Sequence, residues 1–328
     1  MFELTKSQKQ IQKAAKGFAK GEFDKDLAYE FEKSNTFPAK IWKQAAQLGF
    51  VGIHFPEKYA GGDMGMLEAV LILEEFCRKD ASIGNALAVA SFASECLLTF
   101  GSDALKEKFL PPVAEGEMVS AGAFSESPRG GNYTFIQTTA ANEMDQWVIN
   151  GTKTNVINGG SAGFYIVLCR TEPNTEGDKG ISMLVVEGDR RGISSETVGK
   201  KLGGNMFPTA QVTFENVTVP GAYLVGKKGA GIAQLNTFLL ESRLLSAAQA
   251  LGIARGALDR AMDYIKERVQ FQRKLAVFQV TQHKIADMAT KIELAELITY
   301  KAAWKKDQGR LDPKLTSMAK MTAARTAM

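Results

Sequence analysis

From Val119-Ser-Ala-Gly-Ala-Phe124 at one end to Val217-Thr-Val-Pro220 at the other, the apolar spacing turns from helical to alternating, and past Pro220 it turns back. Inside that stretch Trp147, Ile149, Val167, Cys169, Met183, Val185, Val212, Phe214 and Val217 recur at or near every second position. Turn signals stand at Asn150-Gly151 and Asn158-Gly159-Gly160. No strand pattern of comparable length lies on either side. The reading is a multi-domain α+β chain, with an N-terminal helical domain over 1–118, a central antiparallel β domain over 119–226 and a C-terminal helical bundle over 227–328. Contiguous, hairpin-linked strands exclude a doubly wound βαβ fold, so any cofactor must be held in some other way.

At 328 residues the chain is expected to form two or three domains, each with a substantial interior. A hydrophobic share of 45% with 23% charged residues is ordinary globular composition. Forty basic and 36 acidic residues leave a formal +4, mixed along the chain, which argues against nucleic acid and does not oppose a phosphorylated ligand. No run approaches membrane-spanning length, and Met1-Phe2-Glu3-Leu4 has no signal- or transit-peptide character, so the expected location is cytoplasmic. Cys77, Cys96 and Cys169 are read as reduced core residues, since they are odd in number and lack a C-x-x-C. With only His54 and His283 available, metal clusters and Ser/His/Asp machinery are poorly supplied.

Thr5-Lys-Ser-Gln8 has the form of a capping box and predicts a helix whose face carries Ile11, Ala14, Ala15 and Phe18. Further helices are predicted from Pro38 to Gly49, from Leu67 to Arg78, from Ser82 to Phe100, and from Ser102 to a stop at Pro111-Pro112. Gly226-Lys-Lys-Gly-Ala-Gly231 lacks the spacing of a phosphate loop and reads as a hinge into a long helix from about Leu235 to Arg268. Gly252 and Gly256 on that helix would let another helix approach closely. Phe271 to Gln279 breaks the period, a helix follows through Ile285, Met288, Ile292, Ala295 and Ile298, and Asp312-Pro313 starts a last one. That last helix stops at Ala327-Met328 without a capping glycine, which suggests a chain cut short.

Three stretches, taken in joint register, resemble the acyl-CoA dehydrogenase family. Leu110-Pro-Pro-Val-Ala-Glu-Gly-Glu117 with Ala123-Phe-Ser-Glu-Ser-Pro-Arg-Gly-Gly-Asn132 resembles the family's T-E-P-x-x-G-S-D flavin loop. Val148-Ile-Asn-Gly-Thr-Lys153 through Asn158-Gly159 is similar to I-N-G-x-K-x-W-I-T-N-G. Glu241-Ser-Arg243, Gly252, Tyr264, Glu267-Arg268, Phe271, Leu275, Gln279, Ala286-Asp-Met288 and Ala302-Ala303-Trp304 fall in family-like register. The resemblance implies FAD-dependent α,β-dehydrogenation of an acyl-CoA thioester. In that reaction a carboxylate takes the α proton while the β hydrogen leaves as hydride to the flavin, and electrons pass on to an electron-transfer flavoprotein. It also implies a homo-oligomer (dimer or homotetramer) or a hetero-oligomer with a sister subunit, with neither nucleic acid nor membrane as partner.

By the same resemblance, Ala123, Phe124 and Ser125 line the pyrimidine end of the flavin, the Ser125 hydroxyl standing where the family has threonine. Asn155, Val156 and Ile157 lie beside the ring, while Arg268, Phe271 and Gln279 reach the FAD of the neighbouring subunit, Arg268 being suited to its pyrophosphate. Gly131 falls at a cofactor and substrate position, and Glu241 and Arg243 on the substrate side. Phe124, Phe207 and Phe238 could shape the acyl pocket, although ordinary packing explains each as well. The departures from the family pattern cluster at the flavin: Asn155 for a tryptophan, Ile157 for a threonine that donates to N5, Gly131 for a serine, Asn132 for an aspartate and Gln272 for a glycine. Arg325 stands where an acidic residue is common.

The resemblance further implies that the chain lacks the family's C-terminal segment and with it the catalytic base. Ser242 occupies the position some relatives use instead, and Glu241 lies about 100° round the helix from it. An active dehydrogenase is the leading expectation. The alternatives are a degenerate, non-catalytic partner subunit of a heteromeric dehydrogenase and a non-redox acyl-CoA-binding module.

Overall fold

The computed structural model describes residues 3–128 and 130–328. Met1 and Phe2, which enter the N-terminal reading, and Arg129, which falls in the Ala123–Asn132 motif, lie outside the described residues. The chain divides into two compact units that do not follow the linear order: Met1–Tyr29, Met64–Asn85 and Leu240–Met328 form one, and Glu30–Asp63 with Ala86–Leu239 form the other.

The first unit is helical, built from α1 (Lys6–Glu22), α4 (Met66–Lys79), most of α8 (Gly231–Glu267), α9 (Gln279–Asp307) and α10 (Pro313–Ala327). The capping box at Thr5 forms as expected, but the inward face of α1 carries Ala15 and Ala19 rather than Ala14, which is exposed. Phe18, Phe23 and Phe76 join α1 to α4 with ring centroids 5.4–5.9 Å apart. At the start of α4 the amides of Met66 and Leu67 donate to the Asp307 carboxylate at 2.6 and 3.0 Å, so the last residue of α9 supplies an acceptor for the orphan donors of α4. The two glycines of α8 do admit a close neighbour. A Cβ at Gly252 would meet the Glu74 carbonyl oxygen at 2.3 Å, and one at Gly256 the Arg78 carbonyl at 2.3 Å.

In the second unit, α3 (Ala39–Gln47), α6 (Ser94–Phe100) and α7 (Asp103–Ala114) accompany an eight-stranded sheet. Its strands are β1 (Ser120–Ala123), β2 (Thr139–Glu143), β3 (Gln146–Ile157), β4 (Phe164–Arg170), β5 (Ile181–Glu187), β6 (Ile193–Thr197), β7 (Thr209–Pro220) and β8 (Leu224–Val225). Their order is β6-β7-β3-β2-β4-β5-β8, antiparallel except that β4 runs parallel to β1 and β2. Alternation along β4 feeds two cores. Phe164, Ile166 and Leu168 pack with Leu97, Phe109, Leu110 and Phe238 from the helices, while Tyr165, Val167 and Cys169 pack with Trp147, Ile149, Val212 and Phe214 inside the sheet. Cys77, Cys96 and Cys169 are free and buried, as expected.

Several expectations fail locally. Asn150-Gly151 is not a hairpin turn but lies inside β3, where the pairing to β7 slips between Ile149 and Gly151, and a Cβ at Gly151 would sit 2.5 Å from the Thr138 hydroxyl. The reading missed α2 (Lys25–Ser34). Pro111 and Pro112 lie within α7, which runs on to Ala114 and ends at the left-handed Gly116, φ 71°. The apolar stretch Ala81–Phe100 has the length and mean hydropathy, 1.4, of a membrane span, contrary to the reading that no run approaches one. It is interrupted: α5 (Ala81–Val89) ends before Ala93, whose φ of 76° separates it from α6. More than half of that window is buried within the protein.

Candidate active site

The sheet unit brings two of the sequence-predicted stretches together. β1 runs into Phe124-Ser125-Glu126, and the Ser125 carbonyl accepts from the Thr154 amide at 2.9 Å, so residues 123–125 lie beside 154–157. Beneath this junction sits Lys153, whose side chain is wholly buried. Its ammonium donates to the Phe124 carbonyl at 3.3 Å and to Glu126 Oε1 at 2.8 Å. Glu126 in turn accepts from the Gln137 amide (2.6 Å), the Thr138 amide (3.0 Å) and the Thr138 hydroxyl (2.6 Å). The loop is therefore pinned at each of its three residues. Burial alone would raise the Glu126 carboxyl, but the Lys153 charge and these hydrogen bonds hold it below the usual carboxylate range. Burial pulls the Lys153 ammonium below its ordinary value, against the opposing charge of Glu126.

Neither Lys153 nor Glu126 was singled out from the sequence. The signal was present: past the slip in β3, Lys153 falls on the face that carries Trp147 and Ile149, and a lysine on a core face needs a carboxylate. The turn after β3 is fixed by Asn158, whose amide donates to the carbonyls of Val89 (2.6 Å) and Ser120 (2.9 Å).

The side chains at this junction differ in what they can offer a ligand. Ala123 and Val156 are buried in the sheet core, and Phe124 packs between Phe92 and Phe238 at centroid distances of 6.4 and 5.8 Å. Phe124 and Phe238 are thus packing residues. The Ser125 hydroxyl is partly exposed and has no hydrogen-bond partner among the described residues. Asn155 is exposed with a left-handed φ of 54°, a backbone state that suits asparagine better than an aromatic residue. Ile157 is partly buried and has no donor. Gly131 is exposed and a Cβ there would meet nothing, so space does not demand glycine in place of the family's serine.

The helical unit carries the remaining positions. Arg268 follows the end of α8, and its carbonyl accepts from the Leu275 amide at 2.9 Å, closing a small hairpin of β9 (Val269–Gln270) and β10 (Arg273–Lys274). Phe271 and Gln272 form its two-residue turn with φ of 51° and 61°. Phe271 is 86% exposed and meets Phe278 edge-on, and Arg268 and Gln279 are exposed without side-chain partners among the described residues. Gln272→Gly should therefore stabilise the chain by up to about 1 kcal/mol, relief of left-handed strain exceeding the added unfolded-state freedom. Urea unfolding would read this, and a net loss of stability would mean that the Gln272 side chain itself holds the hairpin.

Glu241 and Arg243 sit far along α8 from this hairpin. Arg268 lies twenty-five residues beyond Arg243 at the end of continuous helix, about 38 Å at 1.5 Å per residue, so the two cannot serve one ligand site within one chain. Glu241 is buried and paired with Lys306 at 2.8 Å, while Arg243 reaches Ser317 at 3.5 Å. Among the described residues no group of three His, Cys, Asp or Glu side chains is placed to hold a metal.

Residues 5–117 match the model of the acyl-CoA dehydrogenase N-terminal domain, 121–217 that of the middle domain and 229–328 that of the C-terminal domain. The chain belongs to the acyl-CoA dehydrogenase family. The expectation of a missing C-terminal segment is not borne out, since the family's C-terminal domain is present. An acryloyl-CoA reductase (NADH) of Anaerotignum propionicum is 35% identical over 99% of this chain and 83% of its own length. The butyryl-CoA dehydrogenase of Megasphaera elsdenii superposes with a TM-score of 0.92 at 34% identity, over 99% of this chain and 86% of that one. A chain in a solved structure concerning the electron transferring flavoprotein of Acidaminococcus fermentans superposes with a TM-score of 0.94 at 36% identity, over 99% and 86%.

Proposed function

We propose that this member of the family is a FAD-dependent acyl-CoA dehydrogenase that removes the α and β hydrogens of an acyl-CoA thioester, works in the cytoplasm and has an electron-transfer flavoprotein as redox partner. The reading divides its domains near residues 118 and 226. The observation that carries it is the hairpin after α8. A permanent cation, Arg268, an outward aromatic ring, Phe271, and an unpaired amide, Gln279, stand together and exposed about 38 Å along the helix from Arg243. Such a set suits a nucleotide pyrophosphate and its neighbouring groups, and its distance from Arg243 favours a site completed by a second copy of the chain, as a dimer or tetramer. In the other half-site the Ser125 hydroxyl is free to donate to the pyrimidine end of a flavin, held in place by the bonds of Lys153 and Glu126 to its loop. Ala123 and Val156 contribute backbone and packing there, and the family resemblance assigns Gly131 and Arg243 to substrate contacts.

FAD, when bound, would supply the hydride acceptor. The chain's own residues bind and orient. Glu241, buried and paired with Lys306, is not free to act as the α-proton base. Ile157 and Asn155 favour a second reading, a non-catalytic partner subunit, since Ile157 leaves the flavin N5 side without the family's hydroxyl donor. Anaerobic addition of butyryl-CoA to the purified, FAD-loaded chain distinguishes the two. Bleaching of the flavin absorption is expected, and a spectrum unchanged by acyl-CoAs of several lengths would contradict the enzymatic reading in favour of the partner subunit.

A further inference from the structure

The helical unit contains an open cavity of about 1070 Å³, at the upper end of the range for small-molecule sites. Its floor is apolar, made by Leu67 of α4, Leu297, Ile298 and Trp304 of α9, and Leu315 and Met318 of α10. Leu297, Trp304 and Met318 keep 41%, 37% and 41% of their surface exposed, so this apolar area is not filled by the side chains of the described residues. One wall is cationic. Lys9, Lys13 and Lys16 come from one face of α1, at i, i+4 and i+7, and Lys301 joins them from α9. None of the four has a carboxylate within ion-pair reach among the described residues. The other charges of the lining are matched: Arg78 with Glu75 and Asp259, and Arg255 with Glu74 and Glu296. Of the lining carboxylates, Glu3 has no ion-pair partner among the described residues.

We propose that this cavity binds a single-chain anionic amphiphile, a fatty carboxylate of medium to long chain, with its head group among the four lysines and its alkyl chain over Leu297, Trp304 and Met318. A neutral apolar ligand would leave four ammonium groups unmatched, and a polyanion would use the cations but leave the floor bare. Each further buried methylene should tighten binding about fourfold until the floor is covered. The site is distinct from the positions assigned to flavin and thioester, so the inference stands whether or not that assignment holds.

Trp304 reports on the site directly, because Trp42 and Trp147, the other two tryptophans, are buried elsewhere. The purified chain is titrated with octanoate, decanoate and dodecanoate below their micelle concentrations, and with dodecyltrimethylammonium as a cationic counterpart. The expected result is a saturable change in tryptophan emission that is lost in Trp304→Phe, tightens with each longer carboxylate and weakens at least tenfold in the Lys9→Glu/Lys13→Glu/Lys16→Glu variant. No saturable change, an equal response to the cationic amphiphile, or unaltered binding by the triple variant would overturn the proposal. Emission that instead changes with protein concentration alone, together with self-association in sedimentation, would also overturn it, assigning the floor to a second copy of the chain.

Discussion

Glu126→Leu is expected to destabilise the chain by about 3–5 kcal/mol in urea unfolding, because it leaves the fully buried Lys153 ammonium with a single carbonyl acceptor. Lys153→Met should cost less, about 1–3 kcal/mol, since the Glu126 carboxylate keeps its bonds to Gln137 and Thr138. Combining the two substitutions should recover part of the Glu126→Leu loss, as an apolar pair of similar volume replaces a charge pair. A double variant as unstable as the sum of the singles would show that the two side chains act independently. The pH dependence has a definite sign. The folded-state carboxyl of Glu126 lies below its ordinary value, so its contribution is fully present above the ordinary carboxylate range and is lost only as pH falls through the lower folded value. Either substitution also removes one of the bonds that pin the Phe124–Glu126 loop, so each should weaken flavin binding more than its effect on global stability alone accounts for.

The second large effect is expected in the helical unit. Glu74 is 1% exposed, faces Arg255 Nε at 2.6 Å and accepts from the Tyr300 hydroxyl at 2.6 Å, while Arg255 also pairs with Glu296. Arg255→Leu should destabilise by about 3–5 kcal/mol near neutral pH, because it strands a buried carboxylate. Tyr300→Phe, which removes one hydrogen bond to a charged group, should cost about 1.5–3 kcal/mol. Burial already raises the Glu74 carboxyl in the intact protein, against the Arg255 charge, and losing the guanidinium must raise it further. A group raised in the folded state contributes fully below its unfolded value and loses that contribution as pH rises through the folded one. The deficit of Arg255→Leu should therefore shrink as pH falls toward the ordinary carboxylate range. A deficit that is flat in pH would mean that the helix packing, rather than the stranded charge, sets the loss.

Much of the architecture was legible in residue spacing. The alternation of Trp147, Ile149, Val167, Cys169, Val212 and Phe214 marks the inner core of the sheet, and Gly252 with Gly256 marks the approach of α4 to α8. Caps at Thr5 and Asp312 form where their side chains predict. What escaped depends on tertiary context. Period-two alternation with Trp147 and Ile149 puts Lys153 inward, and only the three-dimensional neighbour Glu126 reveals why a lysine can sit there. Ala93 takes a left-handed conformation that its residue type does not signal, and so the break between α5 and α6 was invisible. The candidate site was legible mainly as a set of matched positions. Spacing alone could not tell that Ala123, Phe124 and Val156 turn into the core while Ser125, Arg268, Phe271 and Gln279 remain available to a ligand.

The central proposal, that the chain holds FAD with the Arg268 guanidinium on its pyrophosphate, is tested most directly by the FAD bound per chain in the wild type and in Arg268→Ala. Arg268 is exposed and has no side-chain partner among the described residues, so its removal should leave the helical circular dichroism intact. The account predicts close to one FAD per chain in the wild type and a loss of at least tenfold in affinity in the variant. A colourless wild-type chain, or flavin held equally well without the Arg268 guanidinium, would contradict it.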